Sequence, residues 1–465
     1  MNPNKAVYHM ALVILQAGTA HGIHSGDADL VQDVVLLRDV NGLPTIPGTS
    51  LAGVLRHLFK AKLGKSETDR VFGFAERQDG HSSGIHIGWG FAHDSHNVVA
   101  EGIREDVEED SILRELARSH PITRQRVRLD ARGTAEDTGK FDVSLVPAGV
   151  RYSTLLGFWS EGSEADEHAW QVILDLFQAT DFRLGHGTRS GAGAFTVQDL
   201  HTQRWDLRTD EGRQAYIARP RTRMGARALP VTKPSASETG LSVTLKIQSE
   251  AGWRIGGGDL AVGFGSETPD MLPQTEWRLE WHEDHATISE RLGLLPASAL
   301  KGALLHRFAF HYRCLEGHWV GADGPESPHS EQAVKDLFGY AGDQSDEGQA
   351  GLILIDDLYI EDVQTATQMH NRIDQYTGGV MTGGLFEEGL LWKTPLTLTL
   401  KFPSSDRLDQ LPTPHRVALN RALEDLCEGR LPLGAGGSRG QGVFLANESP
   451  QWSDQGQWLK QEVDA

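Results

Sequence analysis

The sequence predicts an α+β protein in which one unit is written twice, and three observations predict it. LPTIPGTSLAGVLRH (Leu43–His57) is followed by LGHGTRSGAGAF (Leu184–Phe195), and GLLPASALKGALLH (Gly293–His306) by LGAGGSRGQGVF (Leu433–Phe444). The spacing is equal, 137 positions from Pro47 to Leu184 (184 − 47) and from Pro296 to Leu433 (433 − 296). Between these motifs, segments of period two and segments of helical period follow one another in the same order in both copies.

In the first copy, Ala6–Gln16 is a β-favouring apolar run, and a glycine-rich loop (Ala17–Asp27) follows it. Thr49 is placed to cap a helix carrying Leu51, Val54, Leu55 and Leu58 at helical spacing. Gly84–Ala92 alternates like a strand, and Phe141–Trp159 reads as strand and turn around Pro147-Ala148-Gly149. Ala165–Thr180 reads as a helix with Trp170, Ile173, Leu174 and Phe177 on one face, and Ala194–Leu200 is the last strand. In the second copy, Leu241–Gln248 is a strand, Ser298–Tyr312 a helix, Gly351–Ile360 and Leu390–Phe402 strands, and Pro414–Gly429 a helix. The order β-α-β…β-α-β predicts a ferredoxin-like, split βαβ (RRM-like) unit with a large insertion. The expected boundaries are 1–204 and 239–448 for the two domains. A basic linker at 205–238 and a polar tail at 449–465 complete the division.

An apolar content of 39% supports packed cores, and no run approaches the ~20 apolar residues of a membrane span. No basic stretch leads into an apolar signal core at the N-terminus, and Cys314 and Cys427 form no framework pattern. Both features lead us to expect a cytoplasmic protein in a reducing compartment. A net charge of −20 argues against nucleic-acid binding. That charge is uneven, and binding follows local potential. Glu101–Asp110 reads as a solvated acidic segment, whereas Leu207–Lys233 gathers Arg208, Arg213, Arg219, Arg221, Arg223, Arg227 and Lys233.

Glycines in the two late loops (Gly185, Gly187 and Gly191; Gly434, Gly436 and Gly440) let the backbone approach a phosphate or base and turn amides toward an anion. Arg189 and Arg439 stand within these loops, placed to pair with phosphate. Neither loop has the spacing of a P-loop or of a dinucleotide fingerprint, and a tight structural turn is the alternative for each. The helix starts at Pro47 and Pro296 offer free amides to anions, with Arg56, His57, His306 and Arg307 one to two turns on. A capped core helix with solvated basic residues is the plainer reading there. Asp27, Asp29, Asp33 and Asp39 precede the first helix, and Asp259 and Asp270 the second. Such carboxylates activate a hydroxyl or help hold a divalent ion at a phosphodiester, or simply cap turns. His306, His311, Cys314 and His318 have side chains that Zn2+ accepts, but no CxxC supports a zinc site, and helix-end packing is the default.

These residues resemble the RAMP superfamily of CRISPR proteins, and within it the repeated backbone subunit of type III (Csm/Cmr-like) effector complexes. The first copy carries the resemblance on His21–Asp27, Arg38-Asp39, Leu43–Arg56, Val71-Phe72-Gly73, Arg128-Leu129-Asp130, Phe141 and Leu184–Phe195. The second carries it on Gly252–Asp259, Gly293–Gly302, Leu337-Phe338-Gly339, Arg372-Ile373-Asp374, Phe386-Glu387 and Leu433–Phe444. The chain thus looks like two fused backbone subunits, a layout similar to type III-D, with a thumb-like hairpin inserted in each RAMP domain. The resemblance implies a subunit that holds guide crRNA and kinks the duplex it forms with single-stranded target RNA. It also implies cleavage of the target at regular intervals by a loop aspartate with Mg2+ (or Mn2+). The family aspartate lies six residues before the Asp of the Arg-Asp element, which selects Asp33; Asp270 is the candidate in the second copy. RNA contacts would fall on His21, Arg56, His57, Arg128 and Arg189, and on Arg254, Lys301, Arg307, Arg372 and Arg439, with the loop glycines. The implied partners are crRNA, target RNA, further RAMP backbone subunits and the large polymerase–cyclase subunit. Two other readings stay open: a non-catalytic crRNA scaffold, and a crRNA-processing endoribonuclease with a histidine base such as His21 or His57.

Overall fold

The computed structural model describes residues 5–25, 35–76, 79–130, 134–234, 240–265, 268–317, 331–342, 348–403 and 405–460. Asp27, Asp29, Asp33 and His318 lie outside the described residues.

The first half runs β1 (Val7–Ala17), β2 (Thr45–Ile46), α1 (Gly48–Phe72), β3 (Ile85–Ile87), β4 (Gly90–Ala92), β5 (Ile122–Leu129), β6 (Ala135–Leu145), β7 (Arg151–Ser160), α2 (Glu164–Leu176) and β8 (Phe195–Asp206). Its main sheet has the order β8-β1-β7-β4-β2, with β3 also on β7. All of these pairings are antiparallel. β5 and β6 form a separate hairpin. After α3 (Asp210–Ile217) and α4 (Arg223–Ala226), the second half repeats the plan. It has β9 (Leu241–Ser249), β10 (Thr275–Glu276), β11 (Leu279–His282), β12 (His285–Ile288), β13 (Leu292–Leu295), α5 (Ala297–Glu316), β14 (Leu354–Ile355), β15 (Leu358–Ile360), β16 (Thr365–Ile373), β17 (Val380–Trp392), β18 (Pro395–Phe402), α6 (Thr413–Cys427) and β19 (Phe444–Ala446). Its sheet order β14-β18-β9-β19 matches β3-β7-β1-β8 of the first half, the ferredoxin-like arrangement expected. β16 and β17 form the second hairpin.

Local chemistry moves several ends. α1 starts at Gly48 with Pro47 at its cap and no side-chain cap, so Thr49 lies inside the helix. Pro47 supplies the fixed φ that a helix entry accepts. The run expected as one strand over Gly351–Ile360 divides into β14 and β15 at Asp356-Asp357, because Asp357 leaves the sheet to bond the start of α5.

The two sheets are covered differently. β1 buries both faces: Ala11, Val13 and Leu15 join the helix-side core, and Met10, Leu12 and Ile14 pack with Trp205, Ala226, Tyr216 and Leu229. β9 alternates, with Val243, Leu245 and Ile247 buried and Lys246 and Gln248 exposed. The segment expected as a basic linker is therefore, over 205–232, a folded layer on the first sheet. Five of its seven basic residues are engaged within the chain. Arg223 is 9% exposed and bonds Glu101, Ser153 O and Trp89 O, and Arg227 bonds Asn97 O. Arg208 pairs with Asp206, Arg213 with Asp210, and Arg219 stacks over Tyr216. The Glu101–Asp110 stretch is likewise structural at both ends, since Asp110 caps the helix Ser111–Ala117.

The β11–β12 hairpin explains why Pro296 follows Asp259 by 37 positions (296 − 259) whereas Pro47 follows Asp27 by 20 (47 − 27). It reaches back onto the first half, where Leu279 and Ala286 are buried in that core. Leu279 N donates to Ala148 O (2.9 Å), Trp281 Nε1 to Gly149 O (2.7 Å) and Ala286 N to Ser95 O (2.8 Å). The Arg151 guanidinium lies 3.8 Å over the Trp281 ring. Gly149 has φ +85°, and a Cβ there would collide with the Leu279 carbonyl. Gly149→Ala adds left-handed strain of about 1–2 kcal/mol and displaces the hairpin. We expect a lower midpoint in thermal unfolding together with a red-shifted Trp277/Trp281 emission.

Candidate nucleic-acid interface

Each glycine-rich loop is a single 3₁₀ turn between two left-handed glycines. Thr188–Ser190 lies between Gly187 and Gly191, and Gly437–Arg439 between Gly436 and Gly440. Each loop closes on itself (Leu184 N to Gly193 O, 3.0 Å; Leu433 N to Gly442 O, 2.9 Å). Each also bonds the early loop of its own half (His186 N to Gly22 O, 2.7 Å; Ala435 N to Arg254 O, 3.0 Å). Gly185 (φ +90°) and Gly434 (φ +87°) must be glycines, because a Cβ would strike the carbonyls of Gly22 and Arg254.

The two loops differ in what covers them. The first docks onto the second half: Lys301 Nζ donates to Arg189 O (2.9 Å) and Phe338 O (3.1 Å), and Gly191 sits against Ala297 and Asp357. Burial and the nearby Arg189 push the Lys301 ammonium down to about 8. Burial also lowers Arg189. Lys301 and Arg189, expected at RNA, are thus placed at the junction of the halves, because the tandem order sets one copy's loop on the next copy's helix start. The amide at that start is occupied as well, since Asp357 Oδ1 accepts from Ala297 N (2.8 Å). The second loop is open, with Ser438, Arg439 and Gly440 exposed. Arg439 Nη2 lies 3.2 Å from Glu388 Oε2.

Glu388 is 0% exposed and collects Arg254 Nε (2.7 Å) and Gln441 Nε2 (2.8 Å) besides Arg439. His370 Nε2 lies 2.9 Å from it. Burial drives this carboxyl upward, but the bonds from Gln441 and Arg254 and the charges of Arg254 and Arg439 outweigh it, and the net shift is downward. Arg254 itself is 8% exposed and is a core ion-pair partner, not a surface RNA contact. His21 is corrected in the same way. It is 1% exposed, its Nε2 is 2.9 Å from Tyr152 Oη, and burial lowers its pKa to about 3. A neutral imidazole walled in by Tyr152 and Phe195 serves neither as RNA contact nor as catalytic base.

Other expected residues scatter. Arg56 bonds Gly73 O and Asp69, and His57 is exposed on α1. Arg307 pairs with Asp425 and lies over Phe310. His311 Nε2 also bonds Asp425 (2.7 Å). Among the described residues no cluster of three His, Cys, Asp or Glu is set for a metal ion. Asp39 caps its own turn through Asn41 N and Leu43 N, and Asp259 pairs with Arg291. Asp270 is exposed, and its Oδ2 accepts from Glu387 N (2.9 Å) at the second hairpin. Arg128 and Arg372 stand exposed on the two hairpins. With them stand exposed Val127 and Leu129 in the first, and Met369, Ile373, Tyr376, Val380 and Leu385 in the second.

Sequence reasoning missed Glu388 and the buried ion pairs of Arg124 with Glu276 and Asp357. The buried acids left no signal, because only the tertiary fold pairs them.

Two ferredoxin-like units, each closing a glycine-rich loop over its early loop and projecting a long hairpin, define a tandem repeat of one domain family. The family is shown by its model: residues 19–196 and 252–444 each match the RAMP superfamily, and the chain belongs to it. Among solved structures it is similar to a chain in "Cryo-EM structure of the Type III-B Cmr-beta bound to cognate target RNA". The likeness has 14% identity and a TM-score of 0.30, and covers 43% of this chain and 62% of that one. No curated protein matches. No helix among the described residues is long and apolar enough to cross a membrane.

Proposed function

We propose that the chain is an RNA-holding backbone subunit of a type III CRISPR effector complex, supplying two consecutive units of its backbone. The observation that carries the reading is the recurrence, in the same order, of loop, helix start and exposed hairpin in both RAMP domains. Guide crRNA runs along the open loop at Ser438–Gly440 and the hairpin arginines Arg128 and Arg372. The exposed apolar tips wedge between guide and single-stranded target. Further RAMP subunits and the large polymerase–cyclase subunit complete the assembly in the cytoplasm.

Target RNA is cut beside each wedge. Asp33 serves the first half and Asp270 the second, each orienting or deprotonating the attacking 2′-hydroxyl in a strand held in line by the kink. A carboxylate such as exposed Asp270 suits Mg2+ or Mn2+, which take most ligands from water and phosphate and here would stabilise charge on the phosphodiester. Asp270 has one oxygen free of the Glu387 amide for that purpose.

Asp33→Asn and Asp270→Asn should each abolish one set of Mg2+-dependent cuts, at least 100-fold in rate, with guide and target binding unchanged. Sequencing RNA that co-purifies with the chain should return uniform repeat-tagged guides; absence of RNA would refute the proposal. The Asp270–Glu387 bond favours a second reading for that half alone, as a non-catalytic scaffold. Full activity in Asp270→Asn with a lowered melting temperature would establish it.

A further inference from the structure

A cleft of about 470 Å³ lies where the two halves meet. Thr180, Arg183 and Thr196 line it from the first half, and Ser242, Asp356 and Lys401 from the second. Its volume is that of a small-molecule site. Neither Thr188–Ser190, Ser438–Gly440 nor either hairpin lines it, so it is separate from the RNA-holding face proposed above.

Arg183 stands between α2 and the first glycine-rich loop and is 5% exposed. Its Nη2 bonds Asp356 Oδ1 (2.5 Å). Its Nε and Nη1 are buried and have no partner among the described residues. Opposite, on β18, Lys401 Nζ donates to the other oxygen of the same carboxylate (3.0 Å). Burial raises the Asp356 carboxyl, but the charges of Arg183 and Lys401 outweigh it and hold it low. One ionised carboxylate therefore stands against two cations. Asp357 also lines the cleft, but its Oδ1 accepts from Ala297 N and its Oδ2 holds Arg124. Arg189 adds positive charge nearby, partly offset by Asp181. Buried N–H groups without an acceptor cost stability, and an anion in the cleft supplies that acceptor. Donors on two facing walls suit a tetrahedral anion with several oxygens, and guanidinium and ammonium groups are both phosphate binders.

We infer that this cleft is a binding site for a small phosphate-bearing molecule, held by Arg183 of the first half and Lys401 of the second. Its oxygens accept from the unpartnered Arg183 N–H groups and from the Lys401 hydrogens that Asp356 leaves over. The bound molecule bridges the halves, so binding stabilises their packed arrangement.

The test is titration calorimetry of the full chain with inorganic phosphate at fixed ionic strength, with chloride as the control. One saturable site is expected with phosphate and none with chloride, and phosphate should raise the midpoint of thermal unfolding. Arg183→Met and Lys401→Met should each weaken binding by about 10-fold or more, and Arg183→Lys by less than Arg183→Met. Lys401 is 42% exposed, so Lys401→Met reports on the site even if Arg183→Met fails to fold. Absence of saturable binding overturns the inference. So does binding that survives both Met substitutions, or that Arg372→Ala or Arg439→Ala abolishes instead, since the anion then sits on the RNA-holding face. The backbone role is tested separately by the co-purifying RNA and stands or falls on that result.

Discussion

Arg124→Ala is expected to destabilise the protein by about 3–5 kcal/mol and to split one unfolding transition into two. Arg124 projects from the first half's hairpin and is 2% exposed. Its Nε and Nη2 hold both oxygens of Glu276 (2.5 and 2.7 Å), and its Nη1 holds Asp357 Oδ2 (2.6 Å). Both acids belong to the second half and are themselves buried. Removing the guanidinium leaves two carboxylates facing each other out of water, and desolvated charge without a partner is what makes a broken buried pair so expensive. The damage spreads, because Asp357 also caps α5 and packs on Gly191. Denaturant unfolding followed separately by Trp170 in the first core and Trp253 in the second would report the decoupling. Arg204→Ala, which breaks an exposed pair with Glu167, should shift stability by less than about 1 kcal/mol in the same assay. If Arg124→Ala changes stability no more than Arg204→Ala, the buried cluster does not hold the halves together. Replacing all three charges by apolar residues of similar volume should recover most of the loss, since the desolvation penalty goes with them.

Glu388→Gln is the second large effect, again about 3–5 kcal/mol near neutral pH. Gln cannot neutralise the buried Arg254, and it releases Arg439 at the loop tip. The pH dependence follows from the lowered pKa of Glu388. A carboxyl whose folded value lies below its unfolded one stabilises the fold fully above the unfolded value, about 4.3. That contribution is lost as pH falls through the folded value. The gap between wild type and Glu388→Gln should therefore be widest near pH 7 and close progressively below about pH 4. A gap independent of pH between 3 and 7 would show that the substitution acts through packing alone.

Much of this protein is legible in its repeats. The order of strands and helices in both copies follows from period-two and helical-period runs, which depend on neighbours a few residues apart. The continuous apolar run Met10–Leu15 of β1 against the alternating β9 encodes a sheet covered on both faces and one covered on a single face. Site residues were harder to read. His21 and Arg254 occupy corresponding early positions and look like surface ligands in sequence, yet both point inward, one to Tyr152 and one to Glu388. Lys301 and Arg189 sit in motifs suited to phosphate, yet Lys301 donates to the Arg189 carbonyl at the junction of the halves.

By itself the sequence determined that one domain occurs twice, in the same frame, with a glycine-rich turn closing each copy. Only the tertiary structure decided which copy's loop remains open, which charges neutralise one another, and that the long insertion before α5 clasps the first half. The physical reason is range. Propensity and periodicity act between neighbours, whereas Glu388 meets Arg254 only when the second half folds, and Arg124 meets Glu276 only when the two halves pack.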